Sequence, residues 1–568
     1  MGAAGFIGRV GGLAVGLGVG AAVFNGATAW ADTGSNDSST HAGPARSTTS
    51  QSTAGPAKRG TAKATSGRSR PATTVRARAT VSAAAVPAAP ERPVAPADST
   101  LELAGLAYSR RDTAVSARPA AAASLAPAAS VQAAAAPNTA LIMGPSGVPI
   151  PKPSYIQNVF NLYIAPSYPG SLPFQLDTPE GLYPITGVKS LPLNISVQQG
   201  LEILGTAIAT QIAAGNTATV FGYSQSAIIS SLIMSQLPAD TPVNFVLVGN
   251  EMNPNGGFLS RFPGLKLPSL GLDFYGATPE NAFPTTNYTL EYDGFADFPR
   301  YPLNLLSVLN AGLGIIFVHT KYADLTQQQV DSAIALPTTD PSQKYYIIPT
   351  ENLPLLEPLR LLPVIGNPVA DLLQPALKVI VNLGYGDPRY GWSNEGFANQ
   401  QTTFGFLPNV DWGLTAGLFF AGIAQGVSDF VADVSPGGVM WQELAALKLP
   451  TPGSLAPPPT PAGVIAALQT AITMAATFVS TAAASLYAAL LPTADIVNAI
   501  VTMLPAYNAT LFLGGIAQAL SGDVVNGLIN AIGLPLAANV GLVTTASLIE
   551  LLVIAQAISG ALGDPVNA

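Results

Sequence analysis

Ala218–Leu237, ATVFGYSQSAIISSLIMSQL, joins a short apolar run to a tight turn that holds Ser224, and then to a helix-period pattern. Val220 and Phe221 close a strand-like run, and Gly222 lets the chain turn where a side chain would clash. Ile228, Ile229, Leu232, Ile233 and Leu237 then recur on one helical face. A serine between such a strand and such a helix reads as a nucleophile elbow, which lifts the hydroxyl clear of the sheet and leaves backbone N–H groups free at the helix start. The usual pattern is G-x-S-x-G, and Gly222-Tyr223-Ser224-Gln225-Ser226 carries a serine in place of the last glycine. That glycine serves close packing of helix on strand, which a small serine also permits. Taken alone, the pentapeptide equally fits an ordinary strand-to-helix turn, so the partners of Ser224 must decide.

Outward from this stretch, strands and helices alternate. Thr139–Met143, TALIM, reads as a buried strand, followed by the turn Gly144-Pro145-Ser146-Gly147. Val197, Leu201, Leu204, Ile208 and Ile212 make one helical face that leads into the Ser224 strand, and Val243–Val248, VNFVLV, reads as the next buried strand. The pattern predicts an α/β fold, a parallel sheet covered by helices on both faces.

In α/β-hydrolases the chain order is serine, then acid, then histidine. The chain has two histidines, and His41 lies in a low-complexity arm, so a serine triad here must use His319. The strand expected at Thr289–Tyr292 runs into Asp293-Gly294-Phe295-Ala296-Asp297. An acid a few residues beyond a strand is free to face a histidine arriving from a later loop, which favours Asp297 as its partner. Asp293 is the alternative, with a structural reading as the residue that ends the strand or caps the turn. In these roles Ser224 attacks an acyl carbonyl, His319 takes and returns the proton, and the carboxylate orients the imidazole and stabilises its charge. The backbone N–H of Gln225, with a donor near Ser146, would form the oxyanion hole; a plain GPSG turn is the other reading of Ser146.

Composition narrows the alternatives. The 568 residues include 55 glycines and 50 prolines with only 10% charged residues, so part of the chain is linker. Hydrophobic residues make up 48%, enough for a sizeable core or for apolar surface that meets lipid. The net charge of -8 offers no overall basic field for nucleic acid. Without cysteine there are no disulfides, thiol nucleophiles or thiolate metal sites, and no His/Asp/Glu cluster has metal-ligand spacing; no cofactor is expected.

Residues 1–31 have one early charge, Arg9, then GGLAVGLGVGAAVF and Ala29-Trp30-Ala31 before Asp32, the layout of a secretory signal peptide. Export to the cell envelope, its surface or the medium is therefore expected. Residues 32–137 are rich in Ala, Pro, Ser and Thr, with Arg46, Lys58, Arg59, Lys63, Arg68, Arg70, Arg76 and Arg78 as a basic series. Such a segment reads as a disordered arm, either a solvated linker or an adhesive for an anionic surface, with one short amphipathic stretch at Leu101–Arg111.

Several motifs in fixed order resemble the PE-PPE domain family of mycobacteria and relatives. They are GYSQSA around Ser224, NPNGGF at Asn253–Phe258, RFPG at Arg261–Gly264, YDGFADFPRYPLNLL at Tyr292–Leu306 and HTKY at His319–Tyr322. ENLPLLEPLR at Glu351–Arg360 and NPVADLLQPALKVIVNLGYG at Asn367–Gly386 continue the series, and the resemblance covers about Leu141–Pro408. It implies a cutinase-like serine hydrolase of α/β-hydrolase fold over residues 138–408, acting on acyl esters or lipids. Some members of the family are acyltransferases that build acylated trehalose lipids, so a sugar such as trehalose is an expected acceptor in the transferase reading. Members often carry a helical PE or PPE module at the N-terminus, where this chain has the signal-like segment and the basic arm.

Leu353–Leu383 is broadly apolar and reads as core or as a lipid-facing lid over Ser224. Residues 409–568 read as an Ala-rich helical region, entered through a proline-rich linker at Thr451–Pro461. Its uncharged run at Ala462–Leu491 is long enough for a membrane span. The scattered Gln, Thr and Ser side chains favour helices packed on one another or on envelope lipids. Nothing in it bears chemistry. Three readings follow: a secreted serine esterase or lipase, an acyltransferase using the same acyl-enzyme, and a non-catalytic envelope surface protein.

Overall fold

The computed structural model describes residues 137–446 and 461–561. The expected signal peptide, basic arm, Leu101–Arg111 stretch and most of the proline-rich linker lie outside the described residues. The strands are β1 (Asn138–Ile142), β2 (Leu172–Gln175), β3 (Thr217–Tyr223) and β4 (Val243–Val248), then a short antiparallel pair, β5 (Lys266–Leu267) and β6 (Leu272–Asp273). They are followed by β7 (Thr285–Leu290), β8 (Ile334–Leu336) and β9 (Gln343–Ile348). A seven-stranded sheet has the order β2-β1-β3-β4-β7-β9-β8, parallel except where β8 runs against β9.

Buried on both faces, the central strands need apolar side chains at successive positions. Leu141, Val220, Phe245 and Leu247 enter one core layer, while Ile142, Phe221, Val246 and Val248 enter the other. The chain goes from β1 to β2 on one side and then to β3 on the other, so a crevice opens beyond the carboxyl ends of β1 and β3, where open α/β sheets bind ligands.

The principal helices are α1 (Leu193–Ala213), α2 (Gln225–Met234), α3 (Leu305–Phe317), α4 (Gly366–Asn382), α5 (Trp412–Val434), α6 (Pro461–Leu520) and α7 (Val524–Ala561). Leu204 and Ile208 of α1 and Ile228 and Ile229 of α2 cover the first core layer. Val197 is buried with them, and Leu201 and Ile212 pack partly buried against the same layer. The α/β fold expected from the alternating pattern is the observed one. One strand differs from the sequence reading: β7 begins four residues before the expected Thr289 and ends at Leu290. Its sequence, TTNYTL, is polar, yet Thr285, Thr286, Asn287 and Thr289 are all buried, so hydropathy conceals it.

Leu353–Leu383 is core in part, at Leu353, Leu356, Ala370 and Val381, and exposes Leu361, Leu362, Ile365 and Leu373. Val381 of α4 is fully buried in a cluster with Tyr292, Leu353, Leu356 and Tyr385, and α5 lies against α4 through Gly422 and Gly426. Within the C-terminal region, after α5 and a short helix at Val439–Ala446, α6 and α7 form an antiparallel pair of long helices reversed at Gly522. Ala537 and Ala538 of α7 are fully buried in the same core as Val220 and Phe245. By length and composition alone, Leu305–Asp324, Trp412–Ala446, Ile472–Leu520 and Val524–Ser559 could each cross a membrane.

Helix α3 approaches the turn after β7 backbone to backbone. A Cβ on Gly314 would stand 1.9 Å from the Tyr292 carbonyl oxygen, and one on Gly294 would stand 1.9 Å from the Ala311 carbonyl oxygen. Alanine ordinarily stabilises a helix relative to glycine by about 1 kcal/mol. Here the sign reverses: Gly314→Ala lowers stability by about 1–3 kcal/mol or more, as overpacking against backbone does. Gly417→Ala, with nothing within 4 Å of the added carbon, is neutral or stabilising. Thermal or urea unfolding of the two variants checks the contrast.

Candidate active site

Ser224 sits where β3 passes into α2, with φ 58° and ψ -124°, a conformation that costs energy in any residue other than glycine. Three contacts hold it there. A Cβ on Gly222 would lie 2.6 Å from the Ser226 carbonyl oxygen, so only glycine lets the helix start fold back so closely. The Ser224 N–H donates to the Val248 carbonyl at 3.1 Å, tying the turn to β4. Ser226, where the usual pattern has glycine, accepts from the Tyr223 N–H at 2.8 Å and donates to the Tyr223 carbonyl at 3.0 Å. Its hydroxyl braces the turn that the glycine would merely have made room for.

His319 lies just past α3, in the short helical turn His319–Asp324. Its Nε2 is 2.9 Å from Ser224 Oγ, and its Nδ1 is 2.8 Å from each carboxylate oxygen of Asp293. The Tyr223 hydroxyl donates to the His319 carbonyl, and the Phe295 ring meets the imidazole edge-on at 4.9 Å between centroids. Burial lowers the imidazole pKa, but the charge and hydrogen bond of Asp293, with the charge of Glu251, outweigh it and hold the group above its ordinary value.

The acid beside His319 is therefore Asp293, not the expected Asp297. A loop beyond a strand ordinarily leaves an acid free to swing, but this loop is not free. The Asp297 N–H donates to the Asp293 carbonyl at 2.6 Å, and Asp297 Oδ2 accepts from the Tyr292 N–H at 2.9 Å. Asp297 closes the turn on itself. Burial pushes its carboxyl well above the usual range, against the pull of that N–H and of the Arg261 charge. Arg261, of the RFPG motif, is fully buried and donates to the Phe298 and Thr402 carbonyls at 3.1 and 2.7 Å. Asp293 also caps its turn, accepting from the N–H groups of Phe295 and Ala296 at 3.0 and 3.3 Å. The capping suggested for it and its contact with His319 are two uses of one carboxylate.

Gln225 opens α2, so its N–H lies in the first turn, where no acceptor exists inside the helix. Its side-chain amide donates to the Gly181 carbonyl at 2.8 Å and to Ser146 Oγ at 3.2 Å. The turn after β1 therefore borders the helix start, and Ser146 and Gln225 stand on the same rim as Ser224.

Sequence reasoning missed Glu251. It lies three residues past the end of β4, and its Oε1 is 3.2 Å from Ser224 Oγ, so the one hydroxyl proton faces two acceptors, Glu251 and His319. Burial is the main reason its carboxyl is pushed up to about 7; Asp293 adds to the rise, and His319 and the Ser224 hydroxyl oppose it. The only signal in the sequence was an acid just beyond a buried strand, and that β4 is the neighbour of β3 emerges from the sheet order alone. Among the described residues, no group of three or more His, Cys, Asp or Glu side chains could hold a metal ion.

A model of the PE-PPE domain family matches residues 169–386, a span that includes Ser224, Glu251, Asp293 and His319 but not Ser146. The PPE family protein PPE28 of Mycobacterium tuberculosis is 50% identical over 441 residues, 74% of this chain and 66% of that protein. Esterase PE16 of the same organism is 48% identical over 257 residues, 44% of this chain and 48% of that protein. A diacyltrehalose acyltransferase of that organism is more distant, 27% identical over 194 residues, 30% of this chain and 52% of that protein. The chain thus spans about half to two thirds of the length of these relatives. With the domain matched at residues 169–386, and with motifs that run in order from the Ser224 turn to Gly386, this chain carries a PE-PPE domain.

Proposed function

We propose that the chain is an exported serine esterase, with Ser224 as nucleophile, His319 as general base and acid, and Asp293 as the carboxylate that orients the imidazole. The single observation that carries this reading is the hydrogen-bonded line from Asp293 through His319 to Ser224 Oγ, with spacings of 2.8 and 2.9 Å. Ester hydrolysis then has two halves. His319 Nε2 takes the Ser224 proton as Oγ bonds to the acyl carbon, the oxyanion is met by the Gln225 N–H and a donor at the Ser146 turn, and the alcohol leaves with the proton from His319. Water, deprotonated by the same nitrogen, then releases the acid and restores Ser224. Neutral His319 is required for each attack.

Transfer of the acyl group to a sugar hydroxyl is the second reading. It is favoured by the distant likeness to a diacyltrehalose acyltransferase and by the burial of Ser224, which is 2% exposed. A site that excludes water lengthens the life of an acyl-enzyme until an alcohol arrives. Products formed with and without trehalose distinguish the two. In the envelope, the lipid esters of the surface would be the substrates at hand. Cell fractionation of the full chain, with and without residues 1–31, tests the expected export.

Ser224→Ala is expected to abolish labelling by a fluorophosphonate probe and to lower ester turnover by about 10³-fold or more, and Asp293→Asn by roughly 10⁴-fold through the wrong imidazole tautomer. Asp297→Asn should cost less than about tenfold in turnover and act mainly on thermal stability. Equal losses in the two aspartate variants would overturn the assignment, and a folded wild type that neither labels nor turns over esters would leave the non-catalytic surface protein as the reading.

The pH profile gives an independent check. Activity rises with pH as His319 loses its proton, and ionised Glu251 holds that proton on. Glu251→Gln removes the charge, so the acid limb of kcat/KM moves to lower pH. An unmoved or oppositely shifted limb would show that Glu251 does not act on His319.

A further inference from the structure

Next to Ser224, and walled on its far side by the C-terminal helical pair, lies an apolar cavity whose lining includes Glu251 and Phe295. It is a narrow cavity of about 100 Å³. The α/β side supplies Leu259, Phe274 and Phe295, and α6 and α7 supply Ile496, Ala499 and Leu542. Glu251 also lines it, and two contacts join it to the reacting groups: Glu251 Oε1 is 3.2 Å from Ser224 Oγ, and the Phe295 ring is 4.9 Å from the His319 ring. Apart from Glu251, the walls carry almost no polar atom. Thr545, the one hydroxyl from the helical pair, turns its Oγ1 back to the Gly541 carbonyl at 2.8 Å.

The roof is built in rather than hinged. Tyr183 donates to Asp495 Oδ2 at 2.6 Å, and Ser269 donates to the Asp495 carbonyl at 2.8 Å, fixing α6 over the channel. Leu548 of α7 fills the notch left by Gly312, where a Cβ would lie 2.1 Å from its Cδ1. A preformed apolar slot that borders a buried serine through Glu251 and Phe295 suits a ligand with a polar reacting end and a long hydrocarbon body.

We propose that this channel holds the acyl chain of the ester substrate, and that α6 and α7 form an acyl-binding wall that sets chain-length preference. The occupant is a linear acyl chain of medium to long length, its carbonyl at Ser224 and its methylenes running past Glu251 beneath Ile496 and Ala499. This assignment rests on the esterase reading of Ser224 and adds to it a role for the C-terminal helices, in which the sequence displays no chemistry. Each methylene buried there contributes about 0.8 kcal/mol, so the channel favours long chains steeply.

The test is a series of p-nitrophenyl esters from acetate to palmitate, turned over by the full chain and by Ala499→Phe, which fills the channel without touching Ser224, His319 or Asp293. The wild type is expected to prefer long chains. In Ala499→Phe the ratio of kcat/KM for long over short esters falls at least about tenfold, the loss of fewer than two buried methylenes, while acetate turnover and fluorophosphonate labelling persist. An unchanged ratio, with labelling intact, overturns the channel and leaves the esterase reading standing. Loss of labelling in the folded wild type overturns the esterase reading instead. Should Ala499→Phe fail to fold, Ile500→Ala, which widens the channel from the same helix, takes its place. A shift of the preferred length upward supports the channel, and an unchanged profile removes it.

Discussion

The buried carboxylate of Asp293 is the constraint on which the rest of the site depends. With its side chain wholly removed from water, it must find its donors within the protein, because an unpaired buried charge costs several kcal/mol. The donors come from three places: His319 Nδ1 at 2.8 Å, the Tyr322 hydroxyl at 2.7 Å, and the N–H groups of Phe295 and Ala296. Satisfying one carboxylate thus positions the histidine, orders the turn Asp293–Asp297 and couples both to the 319–324 segment. Tyr322 in turn accepts from the Leu290 N–H at 2.8 Å, which ties the network to the end of β7.

Close backbone approaches carry this arrangement across the sheet. Gly222 brings the start of α2 down on β3, and Gly294 and Gly314 bring α3 down on the turn that bears Asp293. Ser224 and Asp293 stand past the ends of β3 and β7, strands separated in the sheet by β4, and His319 bridges the gap from a segment that follows α3. Glu251 emerges from the intervening strand and so falls beneath the bridge. Two carboxylates therefore flank one imidazole, one bonded to it and one beside the serine, and both raise its affinity for a proton. In the proposed reaction Asp293 would stabilise the charge that forms on the imidazole, while Glu251 Oε1 stands within hydrogen-bond reach of the Ser224 hydroxyl.

The C-terminal helices belong to the same body. Ala537 and Ala538 are as buried as the centre of β3, and Gly541 sits so near Pro302 that a Cβ would lie 2.9 Å from its Cβ. Small residues let α7 come close, and large ones such as Leu548 then reach into the notches. An Ala-rich segment of few charges that seems featureless along the chain is one whose side chains are small where they dock and aliphatic where they face the cavity.

By itself the sequence determined the parts whose signals are local. Apolar runs marked β1, β3 and β4, helical periodicity marked α1 and α2, and glycine before a serine marked the turn at Ser224, because each depends on residues a few positions apart. The scarcity of histidine singled out His319. Tertiary structure alone decided which acid faces it: Asp293 and Asp297 share one turn, and the choice depends on how α3 packs against it. It alone decided that Glu251 reaches Ser224, since strand order in a sheet is not written in any one strand. The polar strand β7 was hidden because its burial comes from its neighbours in the sheet and not from its own hydropathy, and the docking of α6 and α7 because contacts between residues hundreds of positions apart leave no period in the chain.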